Sequence, residues 1–308
     1  MVRIGDRMKT ARRNRNFSKT KEDRIFEVVS TVIILIMTLV VLLPLVNVIA
    51  ASFSSGKAVN AGKVLLWPVE FTLENYKIAL GFKSIWTGYR NTIFYTVVGT
   101  AISVTLSLFC AYPLSQRHFS GRKFFNKIFL FTMIFNGGMI PTYMIVRDLK
   151  LLNTVWAVLL PSAVSFYNVV IIRNYIETTI PVELEEAAIL EGCDPFRFFL
   201  NFIVPLSKPI IVVIAMYYAV ARWNNFFDGF MYLNDKNLYP LQLTLREILV
   251  IGSFSASDLD PEVAAAIQGL AGTLKNVVIV VSTLPLMCIY PFIQKYFVKG
   301  VMIGSVKG

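Results

Sequence analysis

The sequence predicts an all-α, polytopic membrane protein with six membrane-spanning helices. Its 308 residues are 56% hydrophobic and only 16% charged, whereas soluble domains carry about a quarter charged residues. The mean hydropathy is +0.61. Six runs approach or exceed the roughly 20 mostly apolar residues that a helix needs to cross a bilayer.

The runs extend from Ile25 to about Ser52, Tyr89 to Pro113, Ile128 to Val146, Val155 to Ile172, Pro209 to Leu233 and Leu274 to Ile293. The first is too long for the apolar region of a signal peptide, and no small-residue cleavage site follows it, so it is expected to remain as a span. Span three holds Asn136, Gly137, Gly138 and Pro141, span four holds Pro161, and span six holds Pro285 and Pro291. Irregular backbone at membrane depth is tolerated where it is buried in protein or lines a cavity. Packing is the other reading, since Gly and Pro are common in membrane helices.

Orientation follows from the cations, which are retained on the cytoplasmic side. Residues 1–24 carry nine Lys and Arg, from Arg3 to Arg24. Together with the loop after span two, the 177–208 loop and the tail, that side carries eighteen, against nine in the alternate loops. Both termini are therefore expected in the cytoplasm. The chain divides into a basic arm at 1–24, a membrane domain at 25–298 and a tail at 299–308. The net charge of +11 fits lipid headgroups. The arm lacks the interleaved aromatics of a single-strand binder, so no nucleic-acid partner is expected.

Other classes lose support. Cys110, Cys193 and Cys288 lie far apart, and His118 is the sole histidine, so no metal-ligand spacing appears. Cys110 and Cys288 sit in apolar runs, where small core roles are expected. The centres of spans two, three, four and six hold no Asp, Glu, Lys, Arg or His, although ion-coupled carriers place such groups there. Arg222 and Asp228, at span five, are the exceptions. No GxxxxGK[ST] phosphate loop is present, so any ATP must be hydrolysed by another polypeptide.

The most informative segment lies between spans four and five. Pro181 suits the first turn of a helix and Glu183 its positive end. Gly192 suits the left-handed residue that closes that helix. Asp194 is a good N-cap and Pro195 a good first residue for a second helix. Leu184, Ala187, Ala188 and Glu191 share one face of the first arm. Phe196, Phe199, Leu200 and Ile203 form an apolar stripe on the second. The expectation is a helix–Gly–helix elbow with an apolar face on each arm.

Glu186, Ala187 and Ala188, then Gly192 after three residues, then Pro205, resemble the EAA loop of ABC importer permeases. Phe202 and Val204 stand where that family usually has Ile and Leu. The segments Thr72–Tyr76, Ala111–Ser115, Gly121–Arg122, Trp223–Asn225, Gln294–Gly300 and Gly304–Gly308 are similar to carbohydrate permeases of the maltose-permease type, especially the aldouronate and complex-oligosaccharide branch. The resemblance implies a type I ABC importer permease fold in a bacterial inner membrane. It implies ATPase-coupling roles for Glu186, Ala187, Ala188, Gly192, Asp194 and Pro205. It also implies a contact with the ATPases for Gly304, Lys307 and Gly308 of the tail. The partners it implies are a homologous second permease, two ATPase subunits carrying ATP and Mg, and an extracellular or periplasmic solute-binding protein. No cofactor is expected in this chain, and no enzymatic activity.

Sugars are held by amides and stacking aromatics, so Asn136, Tyr143, Asn168, Trp223, Asn224 and Asn225 are candidates for the substrate path. Helix–helix hydrogen bonding is the competing role for each. A stand-alone secondary carrier or channel remains the alternative function.

Overall fold

The computed structural model describes residues 20–254 other than 136, residues 272–285, and residues 287, 288 and 291. All regular structure among them is helical. The first nine helices are α1 (Lys21–Ser52), α2 (Gly56–Asn60), α3 (Glu74–Gly81), α4 (Lys83–Ser115), α5 (Arg122–Ile134), α6 (Met139–Asp148), α7 (Val155–Leu159), α8 (Phe166–Thr179) and α9 (Val182–Leu190). Next come α10 (Pro195–Phe198), a π turn at Phe199–Ile203, and α11 (Val204–Leu206). The chain continues through α12 (Lys208–Trp223), α13 (Phe227–Tyr232), α14 (Leu241–Phe254) and α15 (Gly272–Pro285).

Two of these, α1 and α4, are long and apolar enough to cross a membrane, and two bent pairs raise the number to four. The first span begins earlier than its apolar run, at Lys21, because Thr20 and Asp23 form a capping box. The Thr20 hydroxyl accepts the Asp23 amide and the Asp23 carboxylate accepts the Thr20 amide, which satisfies donors that a helix start leaves orphaned.

Helix α4 is the axis of the molecule. It packs most heavily on α12, then on α8 and α14. Its buried face carries Gly88, Gly99, Ser103, Ser107 and Ala111. Such small residues let helices approach closely in a medium where the hydrophobic effect cannot drive association. A Cβ on Gly88 would stand 2.9 Å from the Leu241 Cα. Ser107 and Tyr218 share a hydroxyl contact of 2.8 Å, and the Tyr218 oxygen also accepts the Ser165 amide. One interhelical bond of this kind contributes about 0.6 kcal/mol.

The runs expected as spans three, four and five are each interrupted. The helices α5 and α6 meet at 115°, at the Gly-rich break expected there. Span four stops at Leu159 and resumes at Phe166, around Pro161. Span five breaks after Trp223, which hydropathy did not suggest. Asn225 makes that break: its side-chain oxygen accepts the Asp228 amide, and its amide nitrogen donates to the Asp228 carboxylate at 2.5 Å.

A buried guanidinium ties the last two of these breaks together. Arg222 donates to the carbonyls of Val158 and Leu159, at 3.3 and 3.0 Å, and to the Ser103 hydroxyl at 3.0 Å. Those carbonyls end α7 and have lost their helical partners. The space comes from Gly99, where a Cβ would lie 2.5 Å from the Arg222 Nε.

Two expectations change. The 234–275 loop holds an entire helix, α14, whose Leu241 and Leu245 are buried against α4. Cys288 is exposed rather than in a core, while Cys110 is half-buried. A Gly99→Val substitution is expected to displace Arg222 and destabilise the protein by about 1–3 kcal/mol, as overpacking does; a fall in the thermal midpoint of the assembled transporter, relative to Gly81→Ala in open space, checks it.

Candidate coupling site

The elbow forms as its sequence demands. Helix α9 starts after Pro181, which is its N-cap and not a first-turn residue, with Glu183 and Glu185 in the first turn. At its other end Gly192 has φ +76°, a left-handed conformation that costs other L-residues about 1–2 kcal/mol. The Gly192 amide donates to the Ile189 carbonyl and the Cys193 amide to the Ala188 carbonyl, both at 2.9 Å. These two bonds are the Schellman motif. The chain restarts at once, with the Asp194 carboxylate accepting the Phe196 amide at 3.1 Å and Pro195 opening α10.

The second arm departs from the expected stripe. Phe198, Phe199 and Ile203 are buried, while Phe196 and Leu200 are exposed. The cause is the π turn Phe199–Ile203. Pro205 has no amide hydrogen, and its ring would press on the Asn201 carbonyl four residues earlier. A wider turn relieves that clash and rotates Phe198 inward and Phe196 outward. The chain then bends by 80° into α12.

The first arm is corrected as well. Leu184 packs on the core and Ala188 lies in it, but Ala187 points outward with Glu186. Leu190, which sequence reasoning did not single out, is 88% exposed, and Ile189 is 60% exposed. The elbow thus presents an outer face of Glu186, Ala187, Ile189, Leu190 and Phe196. An apolar face of this kind on a polar rim marks an interaction site.

The inner face is fused to the membrane helices. Ala188, Phe198, Phe199 and Ile203 share one buried cluster with Leu108 and Ala111 of α4, Ile172 and Ile176 of α8, and Ile210 and Ile214 of α12. Phe199 stacks on Phe109 and meets Tyr112 at a tilt, both with ring centroids 5.2 Å apart. Three membrane helices therefore reach the elbow through one set of side chains.

Beside α9 lies a cleft of about 400 Å³ whose lining brings Gln116, Arg117, His118 and Arg122 together with Glu177, Glu185 and Glu186, over apolar Ile189 and Phe198. Arg122 pairs with Glu177, which Arg173 also reaches at 3.4 Å. With its amide nitrogen turned toward the carboxylate, Gln116 donates to both Glu185 oxygens at 2.6 and 2.8 Å. Burial pushes the Glu185 carboxyl up from 4.5, a rise opposed by His118 and Gln116 and assisted by Glu186.

The remaining candidates scatter. Trp223 is buried between helices, its Nε1 donating to the Ser282 carbonyl at 3.1 Å and its ring 6.4 Å from that of Tyr89. Asn168 is buried on α8. Asn224 is exposed and donates back to the Val220 carbonyl, and Asn225 holds Asp228. Tyr143 stacks on Tyr232 at 6.2 Å. Asn136, the tail residues Gly304, Lys307 and Gly308, and the arm up to residue 19 lie outside the described residues.

A helical membrane chain with an apolar-faced elbow packed onto its own helices has the build of a membrane transport subunit. Comparison with known proteins gives the particular family. No family model matches the chain. It is 39% identical over 287 residues to the polygalacturonan/rhamnogalacturonan transport system permease protein YtcP of Bacillus subtilis, covering 93% of this chain and 100% of that one. It is likewise 39% identical over 289 residues to the protein LplC of the same organism, covering 94% and 97%. The arabinooligosaccharides transport system permease protein AraQ of Halalkalibacterium halodurans is 28% identical over 94% of this chain and 100% of its own. Among solved structures, a chain of a bacterial ABC transporter involved in the import of the acidic polysaccharide alginate superposes with a TM-score of 0.81 at 36% identity, covering 90% of this chain and 98% of that one. The chain belongs to the carbohydrate permeases of the ABC importers. It is a multi-pass cell-membrane subunit and not an enzyme, and systems of this class combine it with a second permease, an ATPase and a solute-binding protein.

Two outcomes test the elbow. Gly192→Ala is expected to weaken the α9 closure by about 1–2 kcal/mol and Gly192→Asn by less, read as faster hydrogen exchange at the Cys193 amide. For Glu185 the raised folded pKa means that the protonated form is the one the fold favours. Its contribution to stability is full below about 4.5 and is lost as pH rises through the higher folded value. Glu185→Gln should flatten that acidic part of the stability profile; an unchanged slope would count against it.

Proposed function

We propose that this chain forms half of a sugar or oligosaccharide translocation path and that its elbow is the part an ATPase grips. The observation that carries the reading is the pairing of an outward apolar face, at Leu190 and Ile189, with an inner face buried among α4, α8 and α12. A push on the outer face reaches three membrane helices without passing through a soft loop. Glu186, Ala187 and Leu190 make the contact. Ala188, Gly192, Asp194 and Pro205 hold the shape.

In this reading a homologous permease supplies the other half of the path, two ATPase subunits bind ATP with Mg, and an extracellular or periplasmic protein delivers the solute. Six spans place both termini, the arm at 1–24 and the tail at 299–308, in the cytoplasm with the elbow. Gly304, Lys307 and Gly308 contact the ATPases. ATP shifts the permease only by favouring one of its states over the other; the elbow transmits that preference. The transported molecule is a saccharide chain, supported by the relatives named for polygalacturonan, alginate and arabinooligosaccharides. Exposed Asn224, half-buried Asn225 and Tyr143 line the path, together with Asn136. Asn168 and Trp223 shape it from behind.

The test uses the reconstituted transporter with its ATPase and binding protein. Leu190→Asp should weaken ATPase association about tenfold, as losing one buried interface anchor does. Gly192→Pro should leave ATP hydrolysis running without uptake. Uptake that still tracks hydrolysis in Gly192→Pro, or uptake by this chain alone in liposomes, would overturn the reading in favour of a self-sufficient carrier.

A further inference from the structure

At the end of α4 opposite the elbow, Lys83, Trp86 and Arg90 recur at spacings of three and four residues, which puts them on one face. All three are exposed, and Arg90 makes no ion pair among the described residues. Below them an open cleft of about 600 Å³ runs between α4 and α15, walled by Leu80, Trp86, Tyr89, Ile93, Val281 and Pro285. Among the described residues Arg90 is the only charged group on its lining. The walls are fixed: the Tyr89 hydroxyl donates to the Val281 carbonyl, and the Trp86 indole donates to the Leu80 carbonyl at 2.8 Å.

The height of this cleft follows from the helix. After Arg90, α4 has no charged residue through Ser115. That stretch of helix is roughly 38 Å long at about 1.5 Å per residue. A bilayer is about 30 Å thick across its hydrocarbon and about 40–45 Å across its headgroups. With the Arg117 end of the helix at one headgroup layer, Arg90 stands at the other. An apolar cleft opening beside a cation at that depth suits a molecule with an acyl body and an anionic head. The indole of Trp86 sits where indoles favour the membrane interface. The exposed residues that continue this face of α4, Ile93 and Val97, are apolar and suit lipid better than a sugar path.

We propose that the α4–α15 cleft is a binding site for an anionic phospholipid of the leaflet opposite the elbow, with its phosphate on Arg90 and an acyl chain between Ile93 and Val281. The lipid fills a groove that α4 and α15 leave open and braces the pair where Tyr89 joins them.

The experiment places the assembled transporter in nanodiscs doped with brominated phosphatidylglycerol or brominated phosphatidylcholine. The signal is the part of the tryptophan fluorescence that Trp86→Phe removes. The site predicts half-quenching at an about fivefold lower fraction of phosphatidylglycerol than of phosphatidylcholine, the preference one interfacial cation confers. Arg90→Gln should abolish the preference and Arg90→Lys should keep it. Equal quenching by both lipids in the unsubstituted protein would overturn the proposal, leaving only annular lipid. Absence of quenching by either would show that protein covers the cleft. Loss of quenching on adding an oligogalacturonide would assign the cleft to carboxylated sugar and overturn it equally.

Discussion

A chain in lipid has no water with which to satisfy its backbone, so every interruption of a helix must be repaired from within the protein. That requirement organises this molecule. Span four breaks at Leu159, and the Arg222 guanidinium takes up the carbonyls of its last turn. Span five breaks at Asn224, and Asn225 restarts it through Asp228. A charge at such depth costs several kcal/mol unless it is paired or hydrogen-bonded, so Arg222 is held only because α7 supplies carbonyls and α4 supplies Ser103 and the vacancy at Gly99. The first break is thus stabilised by a residue from another helix and the second by a local cap, and the Arg222 contacts make the helices around α4 interdependent.

The elbow extends that interdependence beyond the membrane. Its inner residues belong to the same packed cluster as α4, α8 and α12, and packed interiors transmit displacement instead of absorbing it. Hydrogen bonds at both sides of Gly192 stiffen the bend itself. The outer residues Ile189 and Leu190 stay exposed. The coupling proposed for them needs no dedicated relay, because they and the membrane helices belong to one packed body.

Much of this was legible in the residues. Gly192, Asp194 and Pro195 announce a closure and a restart by their backbone chemistry alone, and both occur where expected. The membrane class follows from hydropathy. Features that depend on contacts distant in sequence were not legible. The π turn arises from a proline acting on a carbonyl four residues back, which changes the helical period and so moved the buried set from Phe196 and Leu200 to Phe198. Helix α14 was hidden because a hydropathy reading treats the segment between two spans as loop, although Leu241 and Leu245 are spaced for one face. The role of Arg222 required knowing that α7 ends beside it. Leu190 could have been found by asking which face of α9 lies opposite Leu184 and Ala188.

The first span stands apart from the rest. Within α1 only Ala50, Ala51 and Ser52 are buried, and at that end Asn47 holds the carbonyls of Val64 and Leu65 while Ser52 meets Tyr76. The rest of this helix turns its apolar side chains outward, and the cluster that joins α4, α8 and α12 closes without it, so most of its length is left for whatever surrounds the chain, lipid or protein, to cover.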